Sequence, residues 1–264
     1  MFNRQTLTFN NLLLLINQMI GMTSIDAILA KVAHRPYPLP PGFWRYYQEW
    51  NQALFLHWAI PVEVLRPLVP HKLQIDTFDQ RAYVSLVAFT MQHIRPRGWP
   101  SLPIISNFSE INVRTYVEKD AYQGVFFLNI EAGNRLSAFL ARQLSGLPYE
   151  QAHIQRTNHS FQSMNKTKGF YLDTTFDPQK KIKVPTALDH WLTERYCLFL
   201  DHGRVMYRYD IHHQAWRLIK INMHHLQVNY HLGEMHLNGA PDLMHYAEGV
   251  KVLAWPRQDL NDHK

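Results

Sequence analysis

The chain has 264 residues, 46% of them hydrophobic and 13% aromatic, which is enough apolar material for one large domain or two small ones with a real core. With 18% charged residues and a net charge of +6, it is too aromatic and too weakly charged for a disordered or low-complexity polymer. The single cysteine, Cys197, excludes an internal disulfide framework and fits a reducing, cytoplasmic setting.

Residues 1–21 carry one arginine and no acid, and their longest apolar run, Leu12 to Ile16, falls far short of the ~20 residues that cross a bilayer. They offer neither a signal-peptide core nor a cleavage site, and Met22 is an alternative start. The run HRPYPLPPG, ending at Gly42, must be extended or turning, because proline fixes its own φ and disfavours helix before it. Residues 1–42 are therefore read as an N-terminal extension, 43–256 as one domain and 257–264 as a polar tail. Residues 43–61 are dense in aromatics, and PVEVLRPLVP predicts a short helix that ends at Pro70.

Strands follow at 82–89, 108–117 and 124–132, with Asp79 and Gln80 as turn residues before the first. Their hairpin-like spacing favours an antiparallel arrangement. In FSEINVRTYV, Phe108, Glu110, Asn112, Arg114 and Tyr116 share one face, and Ser109, Ile111, Val113, Thr115 and Val117 the other. A helix is predicted from Asn134, with Leu136, Phe139, Leu140 and Leu144 at helical spacing, Arg142 on a different side, and Gly146 and Pro148 to close it. Lys166, Lys168, Lys180, Lys181 and Lys183 form the basic concentration of the chain. They lack the interleaved aromatics that would stack on bases, so a solvated loop is expected and a nucleic-acid partner is not. LDHWLTERYCLFL runs into a turn at Asp201, His202 and Gly203. RVMYRYDIHH then alternates as a hairpin return, and NMHHLQVNYHL alternates again. With at least six strands and no βαβ rhythm, the chain reads as α+β, a large antiparallel sheet that closes on itself with a few helices.

Sixteen histidines invite a metal reading, but there is no HExxH and no cysteine pair. His225 and His231 lie about 20 Å apart along a strand, too far to share an ion. No metal or cofactor is expected. Cys197, in an apolar setting, reads as a buried inert thiol, and GxSxG, Walker A and GxGxxG motifs are absent. What remains is the strand face bearing Glu110, Asn112 and Arg114. If it looks into a closed sheet, its charges need partners. About 13 Å of strand separates Glu110 from Arg114, so each must look elsewhere: to Arg142, Glu194, Arg195 or a bound ligand. If that face is the solvent side of a two-layer sheet, the same residues are ordinary surface.

The succession LHWAIPVEVLRPLVP, LQIDTFDQRAYVSLVAF, FSEINVRTYV, GVFFLNIEAGN, ARQLSGLPYEQA, LDHWLTERYCLF and IHHQAWRL resembles the YqjF-like family of bacterial proteins, domain of unknown function 2071, over about residues 43 to 256. One departure is SFQSMNKTKG at 160–169, where the family has an arginine soon after the serine. That family is distantly similar to acetoacetate decarboxylase, a conical antiparallel β-structure around a cavity, which implies that the polar strand face points inward. The resemblance matches Glu110 to a pocket glutamate and Arg142 to a helix arginine. Tyr149 stands where the decarboxylase has its Schiff-base lysine, and a phenol makes no iminium. The expectation is a site for a small anionic or carbonyl-bearing molecule. Glu110 and Tyr149 are its candidate catalytic groups, and Asn112, Arg114, Arg142 and Arg195 its ligand-binding groups. A non-catalytic binder or scaffold with a filled interior is the alternative. No membrane partner is expected, and a homo-oligomer is left open.

Overall fold

The computed structural model describes residues 25–134 and 146–260; the helix predicted from Asn134, with Arg142, lies largely outside them. Alternation along the strands becomes burial on both faces. Strand β1 (Tyr46–Ile60) sends Leu54, Leu56 and Trp58 into one apolar cluster and Ala53 and Phe55 into another. The same division holds in β3 (Ala82–Pro96), with Leu86 and Ala88 opposite Val87 and Phe89, after the two-residue β2 (Gln74–Ile75). β4 (Phe108–Lys119) puts Ile111, Val113 and Val117 in the first cluster and Phe108 in the second. The turn before β3 uses Asp79 and Gln80 at φ 47° and 64°, a left-handed pair suited to a tight hairpin.

Pairing closes the sheet on itself. β3, β4 and β5 (Tyr122–Ala132) form an antiparallel meander, and β1 pairs β3 on one side and β14 (Leu243–Ala254) on the other. β14 meets β11 (Val205–His213), β11 pairs β10 (Cys197–His202), and β10 returns to β5 through a short parallel contact, Leu198 to Val125 and Phe199 to Phe126. These seven strands make a ring, and each of them contributes to the second cluster, from Phe55 and Phe89 to Leu200, Ile211 and Val252. That cluster is the ring interior.

The first cluster lies outside the ring. A second antiparallel layer covers it, made of β7 (His153–Arg156), β8 (Ser160–Asn165), β9 (Phe170–Lys181) and β12 (Ile219–Leu232), joined to the ring where β12 meets β14. Three short strands complete the set: β6 (Tyr149–Gln151) beside β5, β13 (Met235–Leu237) beside β12, and β15 (Gln258–Asp259) beside β11. The lysine-bearing segment is therefore not one solvated loop. Lys166 and Lys168 sit in the β8–β9 turn, while Lys180 and Lys181 end β9.

Helix is scarce: α1 (Val62–Leu65) continues into the 3-10 turn Arg66–Leu68, α2 is Pro103–Ser106, and α3 is Ala187–Thr193. α3 opens with a capping box between Thr186 and Asp189. The proline-rich segment straps the outside. Ile28 and Trp44 pack on Leu253 and Trp255, and the Arg35 guanidinium donates to Ile211 O at 2.7 Å and lies 4.5 Å from the Tyr196 ring centre.

Candidate functional site

The inward row of β4 carries the charges that its alternation suggests. Glu110 is 3% exposed, Asn112 4% and Arg114 9%. Register places Phe89 opposite Glu110, Val87 opposite Asn112 and Ser85 opposite Arg114, so the row is walled by apolar groups at the Glu110 end and polar ones at the Arg114 end. β6 runs parallel to β5, with Tyr149 beside Ile130. This brings its phenol to the carboxyl: Tyr149 OH donates to Glu110 Oε2 at 2.9 Å, and Asn112 Nδ2 donates to Oε1 at 3.1 Å.

Burial pushes the Glu110 carboxyl up to about 7, against the two hydrogen bonds that favour its charged form. Burial and the neighbouring carboxyl together hold the Tyr149 phenol well above its ordinary value, so it stays a neutral donor. Arg114 Nη2 donates to Leu192 O at 3.2 Å, and its buried Nε has no partner among the described residues. Burial, with some repulsion from Arg195, lowers its pKa from the usual arginine value. Among the described residues neither Glu110 nor Arg114 has an ion-pair partner.

The structure thus joins Glu110, Asn112 and Tyr149, with Arg114 farther along the same row. Arg195 does not join them. It is spent on Asp76 at 2.7 Å and stacks at 4.4 Å on Trp191. Glu194 accepts from the Trp216 backbone and from the Tyr196 hydroxyl. Arg142 lies outside the described residues. Cys197 is buried and its thiol is pushed up to about 12, chiefly by that burial, which makes it inert. On β12, His225 and His231 face outward, and His231 stacks on His236. An open depression of about 400 Å³ on the outer layer, lined by Gln155, Gln162, Asp173 and Gln227 among others, includes none of the Glu110 group.

Sequence reasoning placed Tyr116 on the inward face but missed the polar residues that join it in the interior: His57, Ser85, Asp189 and His245, all buried. One signal could have found His57. His57 continues the Ala53, Phe55 phase of β1, a polar residue on the side that every neighbour makes apolar.

The ring, antiparallel except where β10 meets β5, has the acetoacetate decarboxylase-like fold. The structure is similar to an acetoacetate decarboxylase-like enzyme from Sphingomonas wittichii RW1, with a TM-score of 0.55 at 13% identity over 84% of this chain and 98% of that one. It is similar to acetoacetate decarboxylase from Legionella pneumophila, with a TM-score of 0.53 at 11% identity over 90% and 96%. It is also similar to the enduracididine biosynthesis enzyme MppR complexed with pyruvate, with a TM-score of 0.52 at 11% identity over 86% and 93%. Residues 47–251 match the model of domain of unknown function 2071, an uncharacterized conserved protein. The chain is 33% identical over 228 residues to the uncharacterized protein YqjF of Bacillus subtilis strain 168, covering 83% of this chain and 93% of YqjF. It belongs to that family.

Proposed function

We propose that the ring interior receives a small anionic or carbonyl-bearing metabolite, that Arg114 and Asn112 orient it, and that Glu110 exchanges a proton with it. One observation carries this reading: on a single buried strand face, a carboxyl near neutrality and a guanidinium each lack a counter-charge among the described residues. A buried charge without a partner is costly, and a ligand carboxylate would relieve it at Arg114 in the planar, two-point manner that guanidinium favours.

The proton chemistry follows from the hydrogen bonds. An ionised Glu110 can take a proton from a carbon next to a carbonyl, since its pKa lies near working pH. Once protonated, it no longer needs the hydrogen of Tyr149, which can turn to the oxyanion forming on the substrate. Enolisation, hydration and a non-covalent lyase reaction all use this exchange. Decarboxylation through an iminium is disfavoured, because Tyr149 stands at the lysine position and Lys168 is held in the β8–β9 turn by Glu150 at 2.6 Å. Arg142, assigned to the pocket by resemblance, is a further candidate for the ligand anion.

A thermal-shift series with pyruvate, acetoacetate and acetate tests the reading, because a compound bound by the folded form alone raises its stability. We expect at least one oxo acid to raise Tm in the wild type and to lose that effect in Arg114→Met. No shift with any of them, while Glu110→Gln remains folded, overturns it. That outcome would favour the second reading, a non-catalytic scaffold, which the packing of Phe55, Phe89, Trp216 and Tyr149 into one interior cluster supports.

A further inference from the structure

At the Arg114 end of the interior, five polar groups from five elements form one unbroken chain. Asp189 Oδ1 on α3 is 2.8 Å from His245 Nε2 on β14, and His245 Nδ1 is 3.2 Å from His57 Nε2 on β1. His57 Nδ1 lies 2.6 Å from Ser85 Oγ on β3, which lies 2.5 Å from Tyr116 OH on β4. Tyr116 OH is in turn 2.8 Å from Leu192 O, the carbonyl that Arg114 also uses. Each imidazole thus has both nitrogens occupied, and the two hydroxyls complete the line.

Counting hydrogens fixes its direction. A carboxylate only accepts, so His245 must donate through Nε2 to Asp189. With one proton per imidazole, His245 Nδ1 accepts from His57 Nε2–H and His57 Nδ1 accepts from Ser85. The close Ser85–Tyr116 contact then needs the phenol hydrogen, which leaves Leu192 O to Arg114. Adding one proton reverses the line. His245, now holding two, donates from Nδ1, so a neutral His57 moves its own hydrogen to Nδ1 and donates to Ser85. Ser85 then donates to Tyr116, and Tyr116 to Leu192 O, where it joins Arg114.

We infer that Asp189, His245, His57, Ser85 and Tyr116 are a proton wire that stores one proton beside Arg114 and, by reversing its hydrogen bonds, loosens Arg114 for an incoming anion. The storage half stands by itself; the coupling to an anion rests on the function proposed above. Among the described residues, the charges facing the wire are Asp189, Arg114, Arg195 with Asp76, and Asp242. Burial holds both imidazoles below the ordinary histidine range; at His245 Asp189 offsets part of that shift, whereas at His57 the neighbouring His245 and Arg114 add to it. Arg195 lies 5.0 Å from the Tyr116 ring centre but is neutralised by Asp76. Asp242 caps the Ala59 backbone N–H on the exposed side. Of the two imidazoles, His245, paired with Asp189, is therefore the one that takes the proton, leaving His57 neutral and free to switch tautomer. Reciprocity requires that an anion at Arg114 draw a proton onto the wire.

Nitrogen-15 spectra of the full-length protein, with His57 and His245 assigned by single substitution, would be followed from pH 8 to pH 5. The expected result is that His57 changes from Nε2–H to Nδ1–H at the same midpoint at which His245 gains its second proton. A His57 that stays Nε2–H at every pH where the protein is folded, or two separate midpoints, overturns the wire. Calorimetry of pyruvate binding in buffers of different ionisation enthalpy tests the coupling. Proton uptake should be smaller in Ser85→Ala, which keeps both imidazoles but cuts the line, than in the wild type. A wire that switches without such uptake overturns the link to Arg114. Absence of pyruvate binding, with a wire that still switches, overturns the anion site alone.

Discussion

At the residue scale, Glu110 sets the pH behaviour of the interior. Its folded pKa of about 7 stands above the ordinary 4.5, so between these values the folded chain holds a proton that the unfolded chain has released. Stability from this group is full below pH 4.5 and is lost as pH rises through 7, by about 3 kcal/mol at 1.36 kcal/mol per pKa unit. Glu110→Gln should therefore unfold at higher denaturant than the wild type at pH 8, and at nearly the same denaturant at pH 4. Tyr149→Phe removes one of the two donors to the carboxylate, so it should raise the Glu110 pKa further, as read from carboxyl carbon shifts, and cost about 1–3 kcal/mol at pH 8. Periodicity made part of this legible: the 2-residue repeat put Glu110, Asn112 and Arg114 on one face. It could not show that the face was enclosed, and Tyr149 came into view only through family resemblance. His57 and His245 lie 188 positions apart, and no local pattern announces that two such residues meet.

At the element scale, the weakest link in the ring is the parallel contact of β5 with β10, where two residue pairs do the joining. The strands come close there because Gly124 has no side chain. A Cβ at that position would lie 2.6 Å from Cys197 Sγ and 2.7 Å from Cys197 O. Gly124→Ala should cost about 1–3 kcal/mol in denaturant unfolding, as overpacking does when one of the opposing atoms is backbone. The meander of β3, β4 and β5 was readable because each strand is rich in β-formers and separated by turn residues. β7 and β8 were not: both are short, and β8 buries Ser163 and Asn165 beside Phe161 while exposing Met164, so hydropathy gives little contrast between the faces. β1 was hidden for the opposite reason, since apolar residues on both faces erase the alternation.

At the scale of the whole molecule, the ring and the N-terminal strap stabilise each other. Arg35 is the fastening: it donates to Ile211 O, stacks on Tyr196 and lies 3.2 Å from His212 Nδ1, while His212 Nε2 reaches Ile28 O at 2.8 Å. Arg35→Ala should destabilise the protein by about 2 kcal/mol in denaturant unfolding and speed proteolysis of residues 25–45, the second readout separating a loosened strap from a damaged core. The order in which the ring is assembled has a further result. β1, β3, β4 and β5 leave the ribosome first; β6 then covers the Ile130–Ala132 end of β5, but its Val125–Phe126 part waits for β10, and β1 waits for β14, whose last residue is 254. For most of synthesis the nascent chain therefore carries two bare strand edges flanked by apolar faces, the kind of surface that recruits a like edge from another molecule. Chains halted before residue 243 should accumulate as aggregates or on chaperones, whereas release of the full length lets the last long strand seal both the ring and the solubility of the product.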